Sequence, residues 1–400
     1  MRRNSRTILF LLFLGIVAGC AGRVEVPPVS PPLPALVNVE RSGLPLFTDD
    51  IGFRNLELAV GRSLQYYDCL PGDRVLSFGD DRFTVAELRE SLLEFLRILR
   101  TASSEQEFRE RIGKTFLVYR ATGRDGNGSV LFTGYYEPTL EGNWFPTDRF
   151  QYPLYGKPGD HLVINLGKFD RKYRGVRLVG RVRNGEVVPY YTRQEIENEQ
   201  SLAGRDLELL WVTDPVALFF LHIQGSGLIE LPDGTPVHVT YAHSNGRPYR
   251  SIGRRLIELE RIAREDVSLQ SIRRYLAEHP EEMEEILNYN ESYVFFRIAR
   301  GAIGSLGVPV TGTRSIATDR SLFPWGALAF IRTWKPMVDC RGNILEWVPF
   351  SRFVLNQDTG GAIKGPGRVD LFCGNGGYAE TMAGHMKQEG ELYFLMKRKK

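Results

Sequence analysis

The chain has 400 residues, 42% of them hydrophobic and 25% charged, with 51 Lys and Arg against 48 Asp and Glu. This composition excludes a disordered chain, and the length exceeds one ordinary core, so two domains are expected. The near-balance of charge argues against a nucleic-acid binder.

Residues 1–19 read as a signal peptide. Arg2, Arg3 and Arg6 precede the apolar run from Ile8 to Val17, which is too short to stay in a bilayer as a spanning helix. Val17-Ala18-Gly19-Cys20 fits a bacterial lipoprotein cleavage box, in which the Cys20 thiol takes a diacylglycerol. The alternative is a plain secreted protein with a chance cysteine. Ala21, in place of an aspartate, directs such a lipoprotein to the outer membrane, on its periplasmic side. Cleavage removes three arginines and no acid, leaving 48 basic against 48 acidic residues. Five prolines between Pro27 and Pro34 make 20–40 an extended tether of about 3.1 Å per residue, or simply a disordered one. Cys69, Cys340 and Cys373 then remain; one disulfide among them is left open. No Cys, His and carboxylate cluster has ligand spacing, so no metal or other cofactor is expected.

The folded part begins with a first segment, 41–139. Thr84-Val85-Ala86-Glu87 is a capping box ahead of Leu88, Leu92, Phe95, Leu96 and Leu99, and Ser104 to Glu107 repeats the signal before a helix that Gly113 can stop. From Thr115 the pattern turns to strands and ends in Thr133-Gly134-Tyr135-Tyr136-Glu137-Pro138. Adjacent tyrosines on a strand point to opposite faces, so one can be core while the other meets a groove; core plus edge is the plainer alternative. Sugar rings stack on aromatics, and Glu137 can accept from hydroxyls.

Residues 140–231 carry short β-like runs at Leu162–Leu166, Val176–Val182 and Glu186–Tyr190, and read as a small all-β domain. Asp214-Pro215 is the N-cap and first residue of a short apolar helix, followed by His222-Ile223-Gln224-Gly225-Ser226-Gly227. Gln224, Gly225 and Ser226 suit an uncharged, hydroxyl-rich ligand, and no Lys-Ser or Lys-Thr follows to make a phosphate loop. His222 and His238 read as core or hydrogen-bonding residues. The last segment, 232–400, holds a hairpin, helices at Ser251–Leu259, Leu269–Glu278 and after Pro280, and then strands at Ser315–Thr318, Ala327–Arg332, Ile344–Val348, Phe353–Gln357, Arg368–Phe372 and Leu392–Leu395.

The chemistry concentrates between Arg352 and Gly377. The strand from Phe353 breaks at Asp358-Thr359-Gly360-Gly361, and a second carboxylate, Asp370, stands between Val369 and Leu371. Apolar neighbours on both sides imply burial, and burial raises a carboxyl pKa toward the range useful for a general acid. The plainer readings make Asp358 a turn cap and Asp370 an ordinary ion-pair partner.

Gln357-Asp358-Thr359-Gly360-Gly361-Ala362-Ile363-Lys364-Gly365-Pro366-Gly367-Arg368-Val369-Asp370 and the run on to Gly376 resemble the C-terminal signature of the membrane-bound lytic murein transglycosylase A family. So do Phe132–Pro138, Phe220–Gly227 and Ile316–Gly326, in the family's order. Trp325 and Cys373 depart from its pattern at positions that bear on local packing. The resemblance implies a mainly β protein: a six-stranded double-psi β-barrel with some helices, interrupted by the smaller β domain, and a groove between them. It implies cleavage of the β-1,4 bond between N-acetylmuramic acid and N-acetylglucosamine in peptidoglycan without water, giving 1,6-anhydro ends. Asp370 would be the acid and then the base. Asp358 and Asp319 would support it, and Thr133, Tyr135, Tyr136, Glu137, Gln224, Gly225, Ser226, Gly360, Gly361 and Lys364 would contact the glycan. Protein partners, such as cell-wall synthesis or division proteins, stay open. Two alternatives remain: a hydrolase with Asp370 and Asp358 as its carboxyl pair, and a lipoprotein that only binds peptidoglycan.

Overall fold

The computed structural model describes residues 34–399; the expected signal peptide, Cys20 and most of the proline spacer lie outside them. Six strands close a barrel: β1 (Val130–Glu137), β2 (Ser315–Ala317), β3 (Leu328–Val338), β4 (Ile344–Asp358), β5 (Arg368–Asn375) and β6 (Lys387–Lys397). Their order is β6-β3-β4-β2-β5-β1, and β1 pairs back onto β6. The β2–β4 and β5–β1 pairs are parallel, which requires crossover connections where a tight hairpin cannot serve. This is the mainly β, six-stranded closed barrel that the resemblance implied.

Period-two alternation fills the barrel. Val369 lies opposite Phe132 and Leu371 opposite Ile316, and all four are fully buried. The expected breaks were partly wrong: β4 runs unbroken through Pro349 and Ser351, where two strands were expected. The short strand Leu36–Asn38 pairs with Phe116–Ala121, which itself pairs with β6. The end of the expected tether therefore belongs to the folded body.

Helices Leu56–Asp68, Val85–Thr101 and Glu105–Thr115 pack on the barrel, with Phe95 and Phe108 rings 5.2 and 5.6 Å from that of Phe353. The Thr84 capping box forms as read, both of its hydrogen bonds being present. Gly113 does not end its helix, which continues to Thr115. The segment before these helices is held by a buried ion pair. Arg314 donates to both carboxylate oxygens of Asp49 at 2.6 and 2.9 Å, and both side chains are wholly buried. The guanidinium also donates to the carbonyls of Arg54 and Phe353, which satisfies the charge it buries.

A second sheet orders its strands as Val294–Ala299, Pro236–Ser244, Ser226–Glu230, Thr139–Asn143, Glu208–Val212 and Tyr152–Tyr155. Two of these strands lie beyond Leu231, so the sheet reaches further along the chain than the segment 140–231. Leu140, Leu210, Ile229 and Val239 belong to its own buried cluster. Leu162–Asn165, Arg177–Arg183 and Glu186–Pro189 form a separate three-stranded sheet. The helix Gly377–His385 was not expected. Pro138 alone separates β1 from Thr139–Asn143, so one strand leads from the barrel into the second sheet.

Candidate active site

Four neighbouring barrel strands build the site. Ala317 on β2 lies opposite Asp370 on β5 and, across a register shift, opposite Asp358 at the end of β4. On the other side of Asp370 stands Thr133 of β1, whose hydroxyl donates to Asp370 Oδ1. Arg368 Nη2 lies 3.4 Å from that same oxygen. Arg368 Nε is buried with no partner among the described residues.

Asp370 is not buried for the reason the sequence suggested. Val369 and Leu371 point into the barrel, and alternation turns Asp370 the other way, where its side chain keeps 20% exposure. Its carboxyl is nevertheless pushed up to about 6: partial burial raises it, Arg368 pulls it back, and the Asp358 charge adds to the rise. A carboxyl with that value and an open side can hold and deliver a proton near neutral pH.

Asp358 is engaged differently. Its Oδ1 accepts from Ser305 N at 2.9 Å, Ser305 Oγ at 2.6 Å and Thr359 N at 2.8 Å, while Oδ2 accepts from the Tyr135 hydroxyl at 2.8 Å. Burial and then the Asp358 charge push the Tyr135 phenol well above the usual tyrosine range, so it stays a donor. Tyr135 also lies 5.0 Å from the Phe372 ring.

Asp319 serves the loop between β4 and β5. It accepts from Gly365 N at 2.8 Å and from Ser321 N and Oγ at 3.0 and 2.7 Å. Burial works to raise it, but those donors and the nearby Lys364 charge outweigh burial and hold it below the ordinary carboxylate range. The loop it pins carries Gly360, Gly361 and the exposed Lys364.

The remaining candidates separate from this cluster. Tyr136 and Glu137 are only 2% and 4% exposed. Glu137 lies 3.0 Å from His238 Nδ1, and Tyr136 faces Arg273. The two tyrosines do point to opposite faces. Gln224 Oε1 accepts from Tyr136 N at 3.1 Å, Gly225 ends the helix Pro215–Gln224 at a φ of 77°, and Ser226 is buried. His222 is buried 3.0 Å from Arg193 Nη1, which agrees with a hydrogen-bonding core role. Cys373 is buried, and burial pushes its thiol up to about 12; Arg320 lies 4.4 Å over the Trp325 ring.

Two residues escaped the sequence reading. Arg368 is two positions from Asp370 on a strand, and that spacing alone places them on one face. Ser305 lies 53 residues from Asp358, and nothing local marks it.

The closed barrel sets one protonatable carboxyl among hydroxyl and guanidinium donors, an arrangement suited to acid–base chemistry. A family model described as the MltA specific insert domain matches residues 131–297, and one described as the 3D domain matches residues 314–396. Membrane-bound lytic murein transglycosylase A of Escherichia coli (strain K12) is 31% identical over 287 residues, 69% of this chain and 68% of that protein. Its namesake in Vibrio cholerae serotype O1 is 33% identical over 277 residues, 68% and 67% of the two chains. Among solved structures, a membrane-bound lytic murein transglycosylase from Agrobacterium tumefaciens superposes with a TM-score of 0.75 at 30% identity, covering 91% of this chain and 98% of that one. E. coli MltA with bound chitohexaose gives 0.70 at 25% identity, covering 92% and 96%. The chain belongs to the membrane-bound lytic murein transglycosylase A family.

Proposed function

We propose that this chain is a peptidoglycan lytic transglycosylase in which Asp370 is both acid and base. The carboxyl gives its proton to the bridging oxygen as the bond from C1 of N-acetylmuramic acid to that oxygen breaks, and N-acetylglucosamine leaves as an alcohol. The Asp370 carboxylate then takes the proton of the muramoyl C6 hydroxyl, whose oxygen closes on C1 to give the 1,6-anhydro ring. The proton count returns to its start, and no water enters. The observation that carries this reading is one carboxyl raised to about 6 whose side chain keeps 20% exposure.

Thr133 and Arg368 orient that carboxyl, and Arg368 steadies it as an anion between the two transfers. Asp358 has four protein donors on its two oxygens. That engagement favours a supporting role over that of a nucleophile or water-activating base. Asp319 supports the loop, and Gln224, Gly225, Ser226, Gly360, Gly361 and Lys364 are proposed contacts for a glycan lying where the barrel meets the second sheet.

Among the described residues, no helix is long and apolar enough to cross a membrane, and the relatives are named as membrane-bound. The proposed anchor is the lipid on Cys20, holding the enzyme to the periplasmic side of the outer membrane. Muropeptide analysis of digested sacculi tests the activity: anhydromuramoyl ends are expected, and reducing ends alone would overturn the reading in favour of a hydrolase. Labelling with a lipid precursor tests the anchor, since Cys20→Ser should lose acylation without losing activity.

A further inference from the structure

The three-stranded sheet between Leu162 and Pro189 presents an apolar face to solvent. Its register sets Ile164 beside Leu178, Gly180 between Leu162 and Pro189, and Val182 beside Val187. Alternation puts all of these on one side. Leu178, Val182 and Val187 are 50%, 60% and 55% exposed.

Part of the opposite side meets the protein. A side chain at Gly246 would fall 2.4 Å from Val179 Cβ, and Arg181 lies 3.9 Å over the Tyr191 ring. A solvated sheet ordinarily turns its polar residues outward, and here the order is reversed. The turns beside the face add Phe169, 79% exposed, and Tyr173, with exposed Lys168, Arg171, Lys172 and Arg174 around them.

From Leu162 to Pro189 there are seven basic and two acidic residues, whereas the rest of the chain after residue 19 holds 41 basic and 46 acidic. We propose that this face docks on an anionic phospholipid bilayer, its aliphatic residues and Phe169 entering the headgroup region and the basic rim meeting lipid phosphates. A glycan would find no polar side chain on this face. A second copy would bring two basic rims together. The ordered strand Leu36–Asn38 leaves about 15 residues after Cys20, a reach of about 50 Å, so an anchored chain stays close to a membrane. The inference extends the lipid-anchor reading but is measured without the lipid.

The test uses the chain from residue 20 with Cys20→Ser and sedimentation with vesicles. Binding to phosphatidylglycerol vesicles is expected, with little to pure phosphatidylcholine and release in high salt. The pair Arg171→Glu, Arg174→Glu should weaken binding at least about tenfold. The set Phe169→Ser, Val182→Thr, Val187→Thr should weaken it similarly, since threonine keeps the strands. Both variants should melt and release muropeptides as the parent does. No sedimentation, or variants that bind equally, would overturn the proposal. So would a lipid-free dimer, or sacculus binding, lost in the same variants. A wild-type chain that is never acylated in cells, while the Cys20→Ser chain still binds vesicles, would remove the anchor alone.

Discussion

Asp370 carries the most exposed prediction. Replacing it with asparagine keeps the shape of the side chain but leaves no proton to give, and general acid help is worth about 10²–10⁴-fold. Anhydromuropeptide release should fall by at least that range while sacculus binding persists; near-parental release would refute the assignment. The same substitution should stabilise the fold. Because the carboxyl sits at about 6 instead of 3.8, the native state keeps a proton between about pH 4 and 6 that the unfolded chain has lost. Stability therefore falls as pH rises through that window and stays lower above it. Asp370→Asn avoids this loss, so it should gain about 1–3 kcal/mol at pH 7, with the gain vanishing near pH 4. Thermal melts across pH decide it, and an asparagine variant that is less stable at pH 7 would count against the burial argument. Activity in kcat/KM should decline above about pH 6, as the free enzyme loses its acid. Tyr135→Phe removes one of the four donors on Asp358 and should lower kcat about tenfold, with a loss of stability of about 1–3 kcal/mol.

At the level of strands and helices, what was legible was local. Capping side chains act within four residues, so the Thr84 box and the Asp214-Pro215 start could be read directly. Asp370 was singled out for a partly mistaken reason: its apolar neighbours fill the barrel, while its own face is shared with Arg368 and Thr133. The helix Gly377–His385 was invisible because it starts at glycine and buries little. Ser305 could not be found, since only the folded chain brings it to Asp358. The Asp49–Arg314 pair was equally hidden, and it makes the element-scale prediction. Arg314→Met strands a buried carboxylate and should cost about 3–5 kcal/mol in urea unfolding. A loss below about 1 kcal/mol would mean that the pair does not hold the segment before the first helix to the barrel.

On the scale of the molecule, β1 is the keystone of a barrel whose other strands come from far along the chain. It pairs with β5 on one side and β6 on the other, across a second sheet that occupies the sequence between. Removing β6 should leave β1 and β3 each with a bare edge, so the truncated chain should lose cooperative melting and activity together. Retention of either by a chain ending before Lys387 would show that closure is dispensable. The closure also fixes an order of events. Thr133 and Asp370 are 237 residues apart, so their contact has to wait until nearly the whole polypeptide has been delivered. A partly synthesised chain has no Thr133–Asp370 contact, which arrives only with the last strands.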